Sequence, residues 1–441
     1  MARGDRAALS RSGGGREAVE AVWRIESARI VATLARYTGD FSLAEDVAQE
    51  SLAEALVTWP RDGVPRNPAG WLLTVGRRRA IDAFRRRSAL DDRYAALARG
   101  LGEGGAPAGG DAARDFDLLW DPDQIDDDVL SLVFIACHPV LSREAQIALT
   151  LRVVGGLTST EIAHAFLVPA ATMQARITRA KKTLAAARVP FAPPSPDERR
   201  ERLGSVLGVL YLIFTEGSSA TSGGDWLRPD LAHEAIRMSR IVARLVPGES
   251  EAHGLLALVE LTAARFPARV QDDGAPVLLA DQDRRRWDRA AIRRGRAALA
   301  EAGRVGRGLG AYGLQAAIAE CHAVAPSVGE TDWERIVVLY EALGRLAPSP
   351  VVELNRAVAL SMARGPAAAL PVVDDVLATG RLDGSHLLPS VRGELLRRLG
   401  RVEEARRELD LAVRLCQNER ERDVLRHKLA TLGTEAAPPC W

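Results

Sequence analysis

The side chains of this chain best placed to do chemistry are basic and lie close together. Arg176, Arg179, Lys181, Lys182 and Arg188 fall between Pro169 and Arg188, and no acid stands among them. Just upstream, Thr158 and Glu161 have the spacing of a reciprocal capping box, in which each side chain satisfies the other's backbone N–H at a helix start. Ile162, Ala163 and Phe166 supply an apolar face for that short helix. Pro169 suits the first turn of a second helix, because the N–H it lacks would be unsatisfied there anyway. The pattern predicts two short helices around a tight turn, the second carrying a cationic face that a duplex phosphate backbone attracts.

A second constellation lies nearer the N-terminus. Asp46, Gln49 and Glu50 share one helical face at three- and four-residue spacing, while Val47, Leu52 and Ala55 point inward. Acceptors in that pattern suit a basic partner surface. Downstream, Arg61, Asp62, Arg66 and Asn67 form a polar turn with prolines, followed by a helix that buries Trp71, Leu72, Val75 and Ile81. That helix presents Arg77, Arg78, Arg79, Arg85, Arg86 and Arg87 against a single acid, Asp82.

Helices must position all of these groups. Ala, Leu, Arg and Glu recur at 3.6-residue spacing nearly everywhere and alternating β-branched runs are few, so an all-α protein is expected. A chain of 441 residues, 47% hydrophobic, has room for about three domains with cores. The net charge of +1, from 59 basic and 58 acidic residues, requires any nucleic-acid face to be local. The four cysteines, Cys137, Cys321, Cys416 and Cys440, are scattered without a Cys-x-x-Cys pair, which reads as reduced thiols with no metal site. Cys137 and His138 are adjacent, the wrong spacing for two ligands on one helix. No cofactor is expected. No apolar run approaches the length of a membrane span and no signal core precedes the chain, so a cytoplasmic protein without membrane contact is expected.

Composition divides the chain. Residues 1–16 read as a disordered tail and 17–88 as a compact helical unit. Residues 89–128 read as a linker, Gly/Ala/Pro-rich at first and then carrying seven aspartates from Asp115 to Asp128. Residues 129–189 hold the helix-turn-helix, and 190–200 a proline-rich boundary. Residues 201–435 read as consecutive helix pairs. Arg364-Gly365 with Ala368 and Ala369 recurs about 35 residues later as Leu399-Gly400-Arg401 with Ala405 and Ala412, near the tetratricopeptide period. Trp333, Ile336, Leu339 and Tyr340 have the spacing of a first repeat helix. A solenoid of such pairs usually offers a concave protein-binding surface.

On these motifs the first unit resembles region 2 of bacterial sigma factors, and Val129 to Arg188 resembles region 4. Two modules joined directly by a linker are similar to the extracytoplasmic-function (ECF) type. The long helical extension, with Cys137-His138-Pro139 and Ala165-Phe166-Leu167-Val168-Pro169, resembles the subgroup carrying a C-terminal tetratricopeptide-like region. The resemblance implies a sigma factor that binds core RNA polymerase and promoter DNA and initiates transcription, non-catalytic, its activity controlled by its own extension. A regulatory protein on that extension is a further implied partner. Asp46, Gln49 and Glu50 match the motif that grips the clamp helices of the largest polymerase subunit. Arg61, Arg66 and Asn67 fall in the loop that captures a base flipped from the -10 element, and Arg77, Arg78, Arg79, Arg85 and Arg86 on the helix that tracks phosphates beside it. Thr172, Gln174 and Ala175 match the start of the recognition helix that reaches base edges of the -35 element, Arg176 and Arg179 match positions that read or anchor, and Lys181 and Lys182 positions that hold phosphates. Two departures stand out: Arg78 where many relatives have Asn, and Leu167 where many have Gly. The acidic linker reads equally as an RNA mimic or as a solvated tether.

Two other function classes compete. A one-component regulator explains the helix-turn-helix but leaves Asp46-Gln49-Glu50 and Trp71 to Arg87 without a role. An enzyme in the C-terminal region would draw on Glu216 to Asp225 or on Asp272, Asp273, Asp281, Asp283 and Asp288. No nucleophile–base pair, glycine loop or histidine set accompanies these acids, and helix caps and salt bridges account for them.

Overall fold

The computed structural model describes residues 4–99, 122–166, 168–189, 191–192, 195–218, 227–271 and 276–432. Among them the chain is helical throughout, with one isolated bridge, Val270 to Pro276, as its only β pairing. The all-α expectation therefore holds. The chain divides into two compact units, Met1–Val209 and Leu210–Trp441.

The first unit opens with three helices, α1 (Gly4–Thr38), α2 (Phe41–Asp62) and α3 (Pro68–Arg99). Helix α2 begins where Asp40 Oδ1 accepts the N–H groups of Ser42 (2.9 Å) and Leu43 (3.1 Å). Gly39, with φ +63, makes the reversal that separates it from α1. Helix α3 begins at Pro68, where proline costs no hydrogen bond. Ile30, Leu34, Trp59 and Leu72 are fully buried between these helices, and Trp71 packs edge-on against Trp59 with ring centroids 5.6 Å apart. Two boundaries differ from the sequence reading. Helix α1 starts inside the expected tail of residues 1–16, because a helix already anchored by packed turns propagates cheaply through residues such as Ala7 and Ala8. Helix α3 likewise runs on to Arg99, into the expected linker; the rest of that linker to residue 121 lies outside the described residues.

Four more helices follow: α4 (Pro122–Ala136), α5 (Arg143–Val153), α6 (Ser159–Ala165) and α7 (Ala170–Ala186). Leu130, Phe134, Leu149, Leu151, Ile162 and Met173 form their core. The Cys137-His138-Pro139 segment ends α4. Gln146 Nε2 donates to the carbonyls of Cys137 (3.2 Å) and His138 (2.9 Å), and the Cys137 thiol lies 3.4 Å from Thr150 Oγ1. Burial pushes that thiol up to about 11, and the segment is a packing corner.

Helix α8 (Pro196–Ser218) carries the chain from one unit into the next. The second unit continues through α9 (Pro229–Leu245), α10 (Ser250–Ala263), α11 (Phe266–Arg269), α12 (Arg289–Val305) and α13 (Ala311–Val324). It ends with α14 (Trp333–Leu346), α15 (Pro350–Arg364), α16 (Pro366–Ala378), α17 (Leu387–Arg398), α18 (Val402–Leu415) and α19 (Glu419–Ala430). Successive helices pack on one another, and one apolar cluster runs from Ile318 through Leu360, Val373, Leu396 and Leu409 to Leu432. The recurring glycines explain the repeat. Gly365 (φ +88) turns α15 into α16 and Gly400 (φ +75) turns α17 into α18, in a conformation that only glycine adopts readily.

Candidate nucleic-acid and polymerase interface

The helix-turn-helix forms as its residues dictate. Thr158 N–H donates to Glu161 Oε2 (2.7 Å) and Glu161 N–H donates to Thr158 Oγ1 (3.1 Å), closing the capping box. Burial alone would raise the Glu161 carboxyl, but the Thr158 bonds and Arg24 hold it below the usual carboxylate range. On α7, Met173, Ile177, Ala180 and Leu184 face inward at helical spacing. The opposite side exposes Thr172, Gln174, Ala175, Arg179 and Lys182, with Arg176 half-buried. Ala171, Gln174, Ala175, Thr178, Arg179 and Lys182 line one shallow, open depression. Ser159 Oγ donates to Gln174 Oε1 at 2.6 Å, which fixes the amide and leaves its N–H₂ free to donate.

Lys181 is not on that face. Its Nζ lies 2.8 Å from Glu45 Oε2 and 2.5 Å from Asp46 Oδ1 of α2, with 14% of the side chain exposed. In this conformation the Lys181 charge is engaged inside the molecule, where the sequence reading expected it to hold phosphates.

The α2 acids divide in the same way. Asp46 and Glu50 are exposed and Gln49 is half-buried, on one face as expected, but Asp46 is spanned by Lys181. The -10 helix is partly neutralised from α2. Arg78 Nη2 and Arg79 Nη2 lie 2.7 Å and 2.8 Å from the two oxygens of Glu54, and Arg79 Nε is 3.7 Å from Glu50. The Arg79 hydrogen bond outweighs burial in holding the Glu54 carboxyl low. Arg77 covers the Tyr37 ring with its guanidinium carbon 4.8 Å from the centroid, whereas Arg85 and Arg86 are exposed. In the preceding loop Arg61 and Arg66 are exposed, and Asn67 Oδ1 accepts the Gly70 N–H at 3.0 Å, so Asn67 also caps α3.

Sequence reasoning missed the residues that join the two modules. Glu45 is 4% exposed, an acid at a core position of α2 between Phe41 and Ala48. Its other oxygen receives Arg152 Nε of α5 at 3.1 Å. Trp23 of α1 donates its indole N–H to the Gly156 carbonyl at 3.1 Å in a buried bond. Gly156 has φ +73, and a Cβ there would stand 2.5 Å from Ser27 Oγ, so conformation and close approach both require glycine. Arg24 to Glu161 (3.4 Å) and Arg36 to Asp128 (3.0 Å) add polar contacts where α4 packs along α1. The available signal was the carboxylate in the apolar stripe of α2, since an acid at a core position implies a cation opposite it.

Three of the acids considered for an enzyme are engaged in caps and ion pairs. Glu216 pairs with Arg228, Asp283 caps Arg285, and Asp288 Oδ1 caps α12 through Ala290 (2.8 Å) and Ala291 (3.0 Å). Asp272, Asp273 and Asp225 lie outside the described residues.

Comparison with known proteins matches three stretches of the chain. Residues 24–90 match the family described as Sigma-70 region 2, and residues 131–184 match Sigma-70, region 4. Residues 202–303 match a family of unknown function, DUF6596. An uncharacterized protein of Rhizobium meliloti (strain 1021) is 44% identical over 416 residues, covering 92% of this chain and 93% of its own. No solved structure matches. No helix among the described residues is long and apolar enough to cross a membrane.

Proposed function

Because the chain belongs to the sigma-70 family, as an ECF-like sigma factor with a C-terminal helical extension, we propose that it binds core RNA polymerase through Asp46, Gln49 and Glu50. In this reading it reads the -35 element with α7 and engages the -10 element with α3 and the loop before it. Its role in promoter recognition follows from the family; the division of labour among these residues is our reading. The observation that carries it is the pairing of an acid-free reading face on α7 with the acidic face of α2 in one compact unit.

The same geometry gives α7 two opposed jobs. Gln174, Arg179 and Lys182 face solvent, while Lys181 holds Asp46, one of the acids assigned to polymerase. Core binding therefore requires the Lys181 contact to part. The extension, tethered by α8, supports activity in this reading: a tether gives an effective concentration of order millimolar, at which even a weak contact is occupied.

The test is co-elution with core polymerase. Asp46→Arg combined with Glu50→Arg abolishes the complex while leaving helicity intact, both positions being exposed. An arginine in place of Asp46 would also repel Lys181 and open the modules, so a loss of binding cannot come from a tighter closed form. Undiminished co-elution of the double variant overturns the assignment.

A further inference from the structure

Three side chains from three helix ends converge in the last part of the extension. His386 immediately precedes α17, Cys416 immediately follows α18, and Glu421 lies in the first turn of α19. One ligand atom from each lies within 4.8 Å of the other two. His386 Nε2 and Glu421 Oε1 stand 3.1 Å apart, yet Nε2 is shielded from solvent and makes no hydrogen bond. The Cys416 thiol donates to the Asn418 carbonyl at 3.4 Å, a proton that metal binding would remove, and the unpartnered imidazole nitrogen stands beside it and the Glu421 carboxylate. Around a tetrahedral zinc ion, with bonds of about 2.0–2.3 Å, neighbouring ligand atoms stand about 3.3–3.8 Å apart. The His386–Glu421 separation is already near that value, and the sulfur needs a shift of about 1 Å at most.

We propose that His386, Cys416 and Glu421 form a zinc-type metal site that ties the ends of α17, α18 and α19 together. A thiolate with an imidazole favours zinc over magnesium or calcium. A cysteine thiolate and a glutamate carboxylate balance the two positive charges of the ion, so the complex is neutral, as its setting demands: Cys416 is 1% exposed. Binding releases the thiol proton to solvent. The nearby Arg422 does not oppose the ion directly, since its Nε and Nη2 donate to the Cys416 carbonyl at 3.0 Å and 2.6 Å. The fourth position is left to a solvent molecule. Linear spacing gives no hint of the site, because His386 and Glu421 are brought together only by the stacking of three helices.

Cobalt(II) and zinc loading of the full chain test the proposal. Cobalt should give a sulfur-to-metal charge-transfer band in the near ultraviolet at one ion per chain, and zinc should displace it. Cys416→Ser should remove the band, and Glu421→Gln should weaken binding about tenfold or more while circular dichroism stays helical. Absence of a stoichiometric band in the native chain overturns the site. Retention of the band in Cys416→Ser also overturns it, by assigning the sulfur to another cysteine. If Cys416→Ser fails to fold, Glu421→Gln decides alone: undiminished cobalt affinity sinks the proposal. None of these outcomes depends on polymerase or promoter binding, so the site and the proposed function stand or fall separately.

Discussion

The two compact units are held together by different forces. In the second, a continuous apolar cluster threads the helix pairs from Ile318 to Leu432, and each buried leucine contributes about 1.5–3 kcal/mol. In the first, polar contacts join the two modules beside the apolar packing of α4 on α1: Trp23 on Gly156, Arg36 on Asp128, and Arg152 and Lys181 on Glu45. Polar joints of this kind contribute modestly on balance, yet specify one geometry closely. The lesson is that the joint of the first unit depends in part on charge, which pH and substitution can change, whereas the cluster of the second rests on apolar burial.

The largest expected effect breaks the second unit. Leu409→Ala, at a site with 0% exposure, should cost the extension about 2–5 kcal/mol in chemical denaturation and leave module folding untouched. Equal destabilisation of both units would erase the distinction between them.

Acid separates the units next. Burial, with Arg265 and Arg284 nearby, pushes His322 down to about 3. A depressed histidine contributes stability that is present above its unfolded value and is lost as pH falls, because the unfolded chain takes up a proton that the fold refuses. The extension should therefore lose stability between about pH 6.5 and pH 3, at up to about 1.4 kcal/mol per pH unit. Lys181 behaves oppositely. Burial alone would lower it, but Glu45 and Asp46 hold it above 10.5, so its contribution persists through neutral pH and is lost only as pH rises through that raised value. Calorimetry should show an extension transition that drops on acidification, and His322→Gln should flatten the drop.

Charge reversal at the module joint comes third. Lys181→Glu faces Glu45 and Asp46 and should cost about 1–3 kcal/mol of module packing. Spin labels on α2 and α7 should move apart while helicity is retained. A distance distribution unchanged from the native chain would show that the joint does not rest on Lys181.

The finest comparison lies between neighbours. Lys182→Ala should weaken every -35 sequence alike and reduce the salt slope by about one, whereas Lys181→Ala should leave the slope unchanged. Equal slopes for the two variants would return Lys181 to the DNA face.

Much of the fold was legible wherever the cause is local. The Thr158–Glu161 capping box, the acid-free face of α7 and the turn glycines Gly365 and Gly400 follow from neighbours within a few residues, and the structure shows each of them. What escaped is assembled across distance. Glu45 meets Lys181 from 136 positions away and Arg152 from 107, and no pattern in α2 alone names those partners. The engagement of Lys181 with Glu45 and Asp46 was hidden for the same reason. A helix wheel shows which residues share a face with their neighbours, but a distant module decided which way this lysine is used.

Lys181 on Asp46 also sets an affinity. A closed form favoured by about 2.7 kcal/mol leaves about 1% of molecules open, and a partner that needs the open form then binds about a hundredfold more weakly than its contacts alone would allow. Any ligand that favours the open form raises the affinity of a second ligand that needs it by the same factor by which the second raises that of the first. Under the proposed function, one lysine thus sets how tightly the polymerase is held, and anything that favours the open form tightens it.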